Sequence, residues 1–158
     1  MGNKFFSYLD RTVEFLLFLV FVVIGLVGGL QVFNRFVLNQ SLSWSEEMQI
    51  YGHIWLIFLA IPVAYRRGSH IGMNLLTRKF SEGTQRRLTL LADFLWLGLA
   101  AAILYYSTVI MKVAKNQTSP GLGLRMDYMY LSLTVGWSYL AMLALRKIAA
   151  ALAQRKFP

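Results

Sequence analysis

Glu46, Glu47 and His53 stand close together in the stretch WSEEMQIYGHIW, ahead of a run that stays apolar as far as Tyr65. Carboxylates and an imidazole so spaced suit two kinds of chemistry: ligating a metal or haem, or hydrogen-bonding a neighbouring helix. Ligation needs further ligands at the same centre. The chain has one other histidine, His70, at the opposite end of the apolar run, and it has no cysteine. No two histidines can share a centre, so no haem, metal or other cofactor is expected, and thiol chemistry is excluded. A serine–histidine–acid set and a phosphate-binding loop are also missing from the sequence, so the chain is not read as an enzyme. His53 is expected to be a neutral side chain that bonds a neighbouring helix.

The elements that must position these residues follow from hydrophobicity. Of 158 residues, 57% are hydrophobic, and the mean hydropathy is +0.52, which is more apolar than a soluble domain of this size. Uncharged stretches run Phe15–Asn34, Met48–Tyr65 and Tyr128–Leu145, and a fourth, Leu88–Met111, is interrupted only by Asp93. Each reaches the roughly 17 residues that cross a hydrocarbon core of about 30 Å. A chain in lipid spans as helices or as a closed barrel, and these runs are too long and continuous for barrel strands. The expected fold is an all-α membrane protein, a single integral membrane domain over 1–158 with four transmembrane helices at about 13–34, 45–65, 86–111 and 127–147. The first run follows Lys4 and Arg11 as a signal peptide would. It is long, however, and ends in QVFNRF rather than at a small-residue cleavage site, so it counts as a helix. Residues Met1 to Arg11 are read as a short lead-in. Between the second and third helices, Ile71, Leu75, Leu76 and Phe80 recur at helical spacing. They predict an amphipathic helix on the membrane interface, with a solvated basic loop as the alternative.

The net charge of +9 is a matter of orientation rather than of nucleic acid, which is not an expected partner. With four spans, the termini and the middle loop share one side. That side holds twelve basic residues: Lys4, Arg11, Arg66, Arg67, Arg78, Lys79, Arg86, Arg87, Arg146, Lys147, Arg155 and Lys156. The other side holds four: Arg35, Lys112, Lys115 and Arg125. The positive-inside rule then puts both termini in the cytoplasm, where the basic side also favours anionic lipid headgroups.

On a helix, Glu46, Gln49 and His53 share one face, and Gln31, Asn34 and Arg35 share a face of the first helix. Polar groups facing lipid are costly, so these faces are expected to meet each other or a partner protein. Arg35 is expected to pair with Glu46 or Glu47, or else to snorkel to headgroups. Ser43 followed by Glu46 fits a capping box, which by itself would explain Glu46. Trp44 suits the membrane interface. Asp93, inside the third span, is expected to pair with Arg66, Arg67 or Arg86, with an ion or proton role as the alternative, and Asp127 to cap the fourth helix. The sequons at Asn39 and Asn116 are read as chance matches. Small-residue pairs four apart (Gly25/Gly29, Ala60/Ala64, Gly98/Ala102, Ser132/Gly136) suggest a compact bundle.

The stretch NRFVLNQSLSWSEEMQIYGHIWLIFLAIPVAYRRGSHIGMNLL, Asn34 to Leu76, resembles the small (Q-type) membrane subunit of tripartite ATP-independent periplasmic (TRAP) transporters. The resemblance is carried by Asn34 and Arg35 closing helix 1, and by Trp44, Glu46 and Glu47 opening helix 2. Trp55 and the element Arg66 or Arg67, Gly68, His70 and Ile71 follow. The later SPGLGLRMDYMYLSLTVGW resembles the family's outer loop and fourth helix. Ala60, Asn74 and Gln49 depart from the residues common in the family at those places. The resemblance implies partner-binding or structural roles for Asn34, Arg35, Trp44, Glu46, Glu47, His53, Trp55, Arg67 and His70. It also implies a small scaffold subunit in a bacterial inner membrane. A large multi-span transport subunit would hold the substrate and sodium sites, and a periplasmic binding protein would deliver an organic acid. The physical alternative is a self-sufficient exporter of the small multidrug type. That class needs a carboxylate well inside helix 1, whereas Glu14 lies at its entrance.

Overall fold

The computed structural model describes residues 2–67 and 80–154. Four helices account for nearly all of them: α1, Gly2–Val37; α2, Ser43–Arg66; α3, Glu82–Ala114; and α4, Asp127–Gln154. All four are long and apolar enough to cross a membrane. The segment expected to form an interfacial helix, and His70 within it, lies outside the described residues. The lead-in differs from expectation: α1 is helical from Gly2 rather than from about residue 13. Phe6 and Asp10 in this added part of α1 contact other helices, as described below.

The helices pack as a row rather than as a compact bundle. α1 lies on α2, α2 on α4, and α4 on α3. α2 and α4 therefore form the middle and run parallel; α1 and α3 flank them, each antiparallel to its neighbour. The buried core follows this order: Leu59, Val63 and Tyr65 from α2, Trp137, Leu140, Leu143 and Ala144 from α4, Ala100 from α3 and Val13 from α1. The start of α1, the end of α2, the start of α3 and the end of α4 share one end, here the terminal end. Residues 38–42 and 115–126 make the other, the loop end.

Of the four small-residue pairs, one is a close approach within the chain. Ser132 is fully buried, and a Cβ on Gly136 would overlap the backbone carbonyl of Phe58 on α2. The sequence supplies the cause. Pro62 lacks an N–H, so the Phe58 carbonyl four residues earlier has no helical partner. Glycine lets α4 come against that freed acceptor, where a Cα–H···O contact is the available compensation. A second glycine contact joins α1 to α2: a Cβ on Gly52 would stand 2.6 Å from Ile24 Cγ1. Gly25, Gly29 and Gly98, by contrast, have open space beside them. The spacing of these glycines allows a helix to come close, and within this chain none does.

At the loop end α1 stops in a left-handed turn. The Asn34 carbonyl accepts from Leu38 N (3.2 Å) and Gln40 N (3.1 Å), with Asn39 at φ 52° between them. Asparagine is among the few non-glycine residue types that enter the left-handed region readily, which suits it to this helix end. The longer loop folds on itself through an antiparallel bridge between Thr118 and Arg125, closed by Ser119 N to Leu124 O at 2.8 Å and a left-handed Gly123 at φ 64°.

Candidate functional site

Two polar sites occupy opposite ends of α2. At the terminal end, Arg66 pairs with Asp10 (2.6 Å) and with Glu14 of α1, and Arg67 reaches Glu14 at 2.9 Å. Asp10 also accepts a hydrogen bond from Tyr139 on α4. One residue before Arg66, the Tyr65 hydroxyl donates to Asp93 of α3 at 2.6 Å, with both side chains buried. Lys147 of α4 donates to the Tyr65 carbonyl at 2.9 Å and stands 3.8 Å from its ring centroid. Trp96 and Trp137 continue the contact, with ring centroids 5.9 Å from Tyr65 to Trp96 and 6.2 Å from Trp96 to Trp137. Arg146 lies 3.6 Å over the Phe6 ring, which ties the start of α1 to α4. Four helices thus meet in one set of acids, bases and tyrosines.

This corrects the expectation for Asp93. Its partner is Tyr65 rather than an arginine, because Arg66 and Arg67 are engaged by the acids of α1. Asp10, Tyr65, Tyr139 and Lys147 were not singled out from sequence. A signal was available for Asp10: in an antiparallel α1–α2 hairpin, acids one turn apart near the start of α1 come level with the basic pair ending α2. Glu14, already too near the helix entrance for an exporter's carboxylate, is committed to that ion pair.

At the loop end Glu46 and Glu47 separate. Glu47 turns toward the longer loop, where its carboxylate accepts from Leu122 N at 2.8 Å and lies beside Gly121. A Cβ on Gly121 would come within 3.1 Å of that carboxylate and 3.2 Å of the Ser43 carbonyl, a tight contact that glycine avoids. Glu47 therefore anchors the α3–α4 loop onto the start of α2, a role no local spacing announces. Arg125 in the same loop pairs with Asp127, the first residue of α4, which lifts the guanidinium pKa above its ordinary value. The capping box is not formed: α2 starts at Ser43 after Leu42, with no side-chain cap bond, and Ser45 Oγ bonds the Leu42 carbonyl instead. Starting the helix at Ser43 puts that serine inside the first turn, where it cannot act as its cap.

Glu46 turns toward α1. Gln31 Nε2 lies 3.5 Å from Glu46 Oε1, at the limit of a hydrogen bond, and Gln49 donates to Gln31 Oε1. The two polar faces thus meet through Gln31, as expected for that pair. Arg35 does not join them. No ion pair to Glu46 or Glu47 forms among the described residues, and the guanidinium lies 6.0 Å from the ring of Phe36. It is exposed near the end of α1, where a long side chain reaches the headgroup level. Asn34 bonds the Leu30 carbonyl of its own helix at 2.9 Å. His53 is exposed, and its Nδ1 bonds the Gln49 carbonyl at 2.7 Å. Gln31, Glu46, Gln49, Ile50, His53 and Ile54 line a shallow cleft of about 550 Å³ between α1 and α2. Trp44 is half-buried at the start of α2, and Trp55 packs against the core. Among the described residues, no group of three or more acids and histidines is arranged to hold a metal.

A row of four membrane-crossing helices, tied by side chains at one end and carrying an open polar cleft at the other, defines a multi-pass membrane subunit. The family model for the DctQ component of tripartite ATP-independent periplasmic transporters matches residues 24–154, so the chain belongs to that family. It is a small permease subunit of an inner-membrane transporter, not an enzyme. Relatives agree. The chain is 32% identical over 108 residues, 67% of its length, to the isethionate TRAP transporter permease protein DctMQ of Oleidesulfovibrio alaskensis, of which it spans 17%. It is 24% identical over 82% of its length to a protein of Haemophilus influenzae described as a TRAP transporter small permease protein, covering 81% of that protein. The C4-dicarboxylate TRAP transporter small permease protein DctQ of Pseudomonas aeruginosa is 33% identical over 66 residues, 42% of this chain and 31% of that one.

Proposed function

We propose that this chain is the static scaffold subunit of a sodium-coupled secondary transporter that takes up an organic acid. As a single integral membrane domain in the lipid of the inner membrane, it braces a large multi-span transport subunit. With the termini in the cytoplasm, as the twelve-to-four distribution of basic residues favours, the loop end faces the periplasm. The anchored loop 115–126 then lies where a substrate-binding protein would dock. The observation that carries the reading is the cluster at the terminal end. Asp10, Glu14, Arg66, Asp93 and Tyr139 are engaged with one another or with Tyr65, so the charges within the spans hold helices together rather than line a solute path. An organic acid as cargo is supported by two relatives, whose names specify isethionate and C4-dicarboxylate.

Reconstitution tests the reading. Liposomes holding this chain with the large permease subunit and the binding protein of the same organism are expected to take up an organic acid only under an inward sodium gradient. Liposomes holding this chain alone are expected to move none. Uptake or export by the chain alone would overturn the scaffold role.

A further inference from the structure

α2 packs on α1 and on α4, and a third side stays open. Glu46, Ile50, His53, Ile57 and Ala64 are all exposed, at spacings of four, three, four and seven residues, which is one continuous helical stripe. The exposed faces of α1 and α3 are apolar and suit lipid or protein alike. This stripe does not suit lipid. His53 is the eleventh residue of the 24 in α2, so at a rise of 1.5 Å per residue it sits roughly 15 Å from the start of the helix, near mid-membrane. Its Nδ1 faces a carbonyl, which only accepts, so Nδ1 is the donor, and in a neutral imidazole that makes Nε2 an acceptor. Among the described residues, none donates to Nε2. About two turns nearer the loop end, Glu46 has a single long contact to Gln31 and no ion pair among the described residues. Acyl chains offer neither a donor nor a positive charge, and headgroups do not reach the depth of His53.

We propose that the α1–α2 cleft seats one membrane-spanning helix of the large permease subunit. That helix places a hydrogen-bond donor, such as a serine, threonine or amide side chain, on His53 Nε2 and a basic side chain against Glu46. The inference rests on the scaffold reading above and adds the face and the chemistry of contact. Further along the stripe, Ala60 and Ala64 border a second hollow of about 310 Å³ with Glu14, Leu17, Val63 and Arg67. Small residues there let the backbone of a partner helix approach closely.

The absence of cysteine allows a direct test with single-cysteine variants. Ile50→Cys and Ile57→Cys lie on the stripe, and Leu95→Cys and Tyr105→Cys lie on the exposed face of α3. In the complex with the large subunit, the stripe cysteines are expected to react much more slowly with a membrane-permeant maleimide than in the subunit alone. The α3 cysteines are expected to change less. Loss of an interhelical hydrogen bond in His53→Leu should weaken association by about three- to thirtyfold, with partial rescue by His53→Gln, which keeps an acceptor. If the native chain co-purifies with the large subunit while the stripe stays reactive and His53→Leu associates normally, this proposal falls and the scaffold reading stands. If no large subunit co-purifies with the native chain, both fall.

Discussion

The two ends of α2 solve the same problem in opposite ways. At the terminal end, Arg66, Arg67 and Tyr65 find Glu14, Asp10 and Asp93 within the chain, and the cluster is largely closed. Toward the loop end, Glu46 and His53 remain exposed with part of their hydrogen-bonding capacity unused. An unmet polar group in a membrane is expensive, so its persistence is informative: the first site ties the helices of the subunit together, and the second is the one we propose a partner helix completes. Substitutions at the first should therefore unfold the isolated subunit, and substitutions at the second should spare the subunit and loosen the complex.

The largest effect is expected at the closed end. Arg66→Leu leaves Asp10 and Glu14 without their shared cation. A fully buried pair broken this way costs about 3–5 kcal/mol, and partial exposure here should reduce that to about 2–3 kcal/mol. Denaturation of the detergent-solubilised subunit would measure it. Gly136→Ala drives a methyl into the Phe58 carbonyl, and overpacking of this kind costs about 1–3 kcal/mol; the same denaturation assay applies. Tyr65→Phe removes the donor to buried Asp93, at about 1–3 kcal/mol. Glu47→Gln should act locally, with faster amide hydrogen exchange at Leu122 and readier proteolysis of 119–124 while the helices keep their stability. At the open cleft, His53→Leu should change the melting of the isolated subunit by less than about 0.5 kcal/mol, as for exposed sites generally. An unstable isolated His53→Leu subunit, or a stable Arg66→Leu one, would erase the distinction between the two ends.

Much of this was legible in the sequence because membranes impose strict rules. The four spans follow from uninterrupted apolar length, and the meeting of Gln31 with the Glu46 face follows from helical periodicity. The row order α1–α2–α4–α3 was not legible, since small-residue pairs mark close approaches without saying to what. Gly136 approaches a helix of its own chain, whereas Gly25 and Gly98 look outward. Adjacent acids gave no hint of their division of labour: Glu46 faces the cleft, and Glu47 ties down a loop 75 residues away. The early start of α1 was hidden because the contacts of Asp10 and Phe6 are tertiary. The Asp93 assignment failed for a related reason: Arg66 and Arg67 are taken by a helix distant in sequence, and the Tyr65 hydroxyl supplies the donor instead.

The most direct measurement is a density map of the subunit bound to its large permease partner in a lipid nanodisc. The account predicts a partner helix along Glu46, Ile50, His53 and Ile57, with a donor side chain within hydrogen-bond distance of His53 Nε2. Acyl-chain density over His53, or a partner seated on α3 with the α1–α2 cleft left open to lipid, would contradict it.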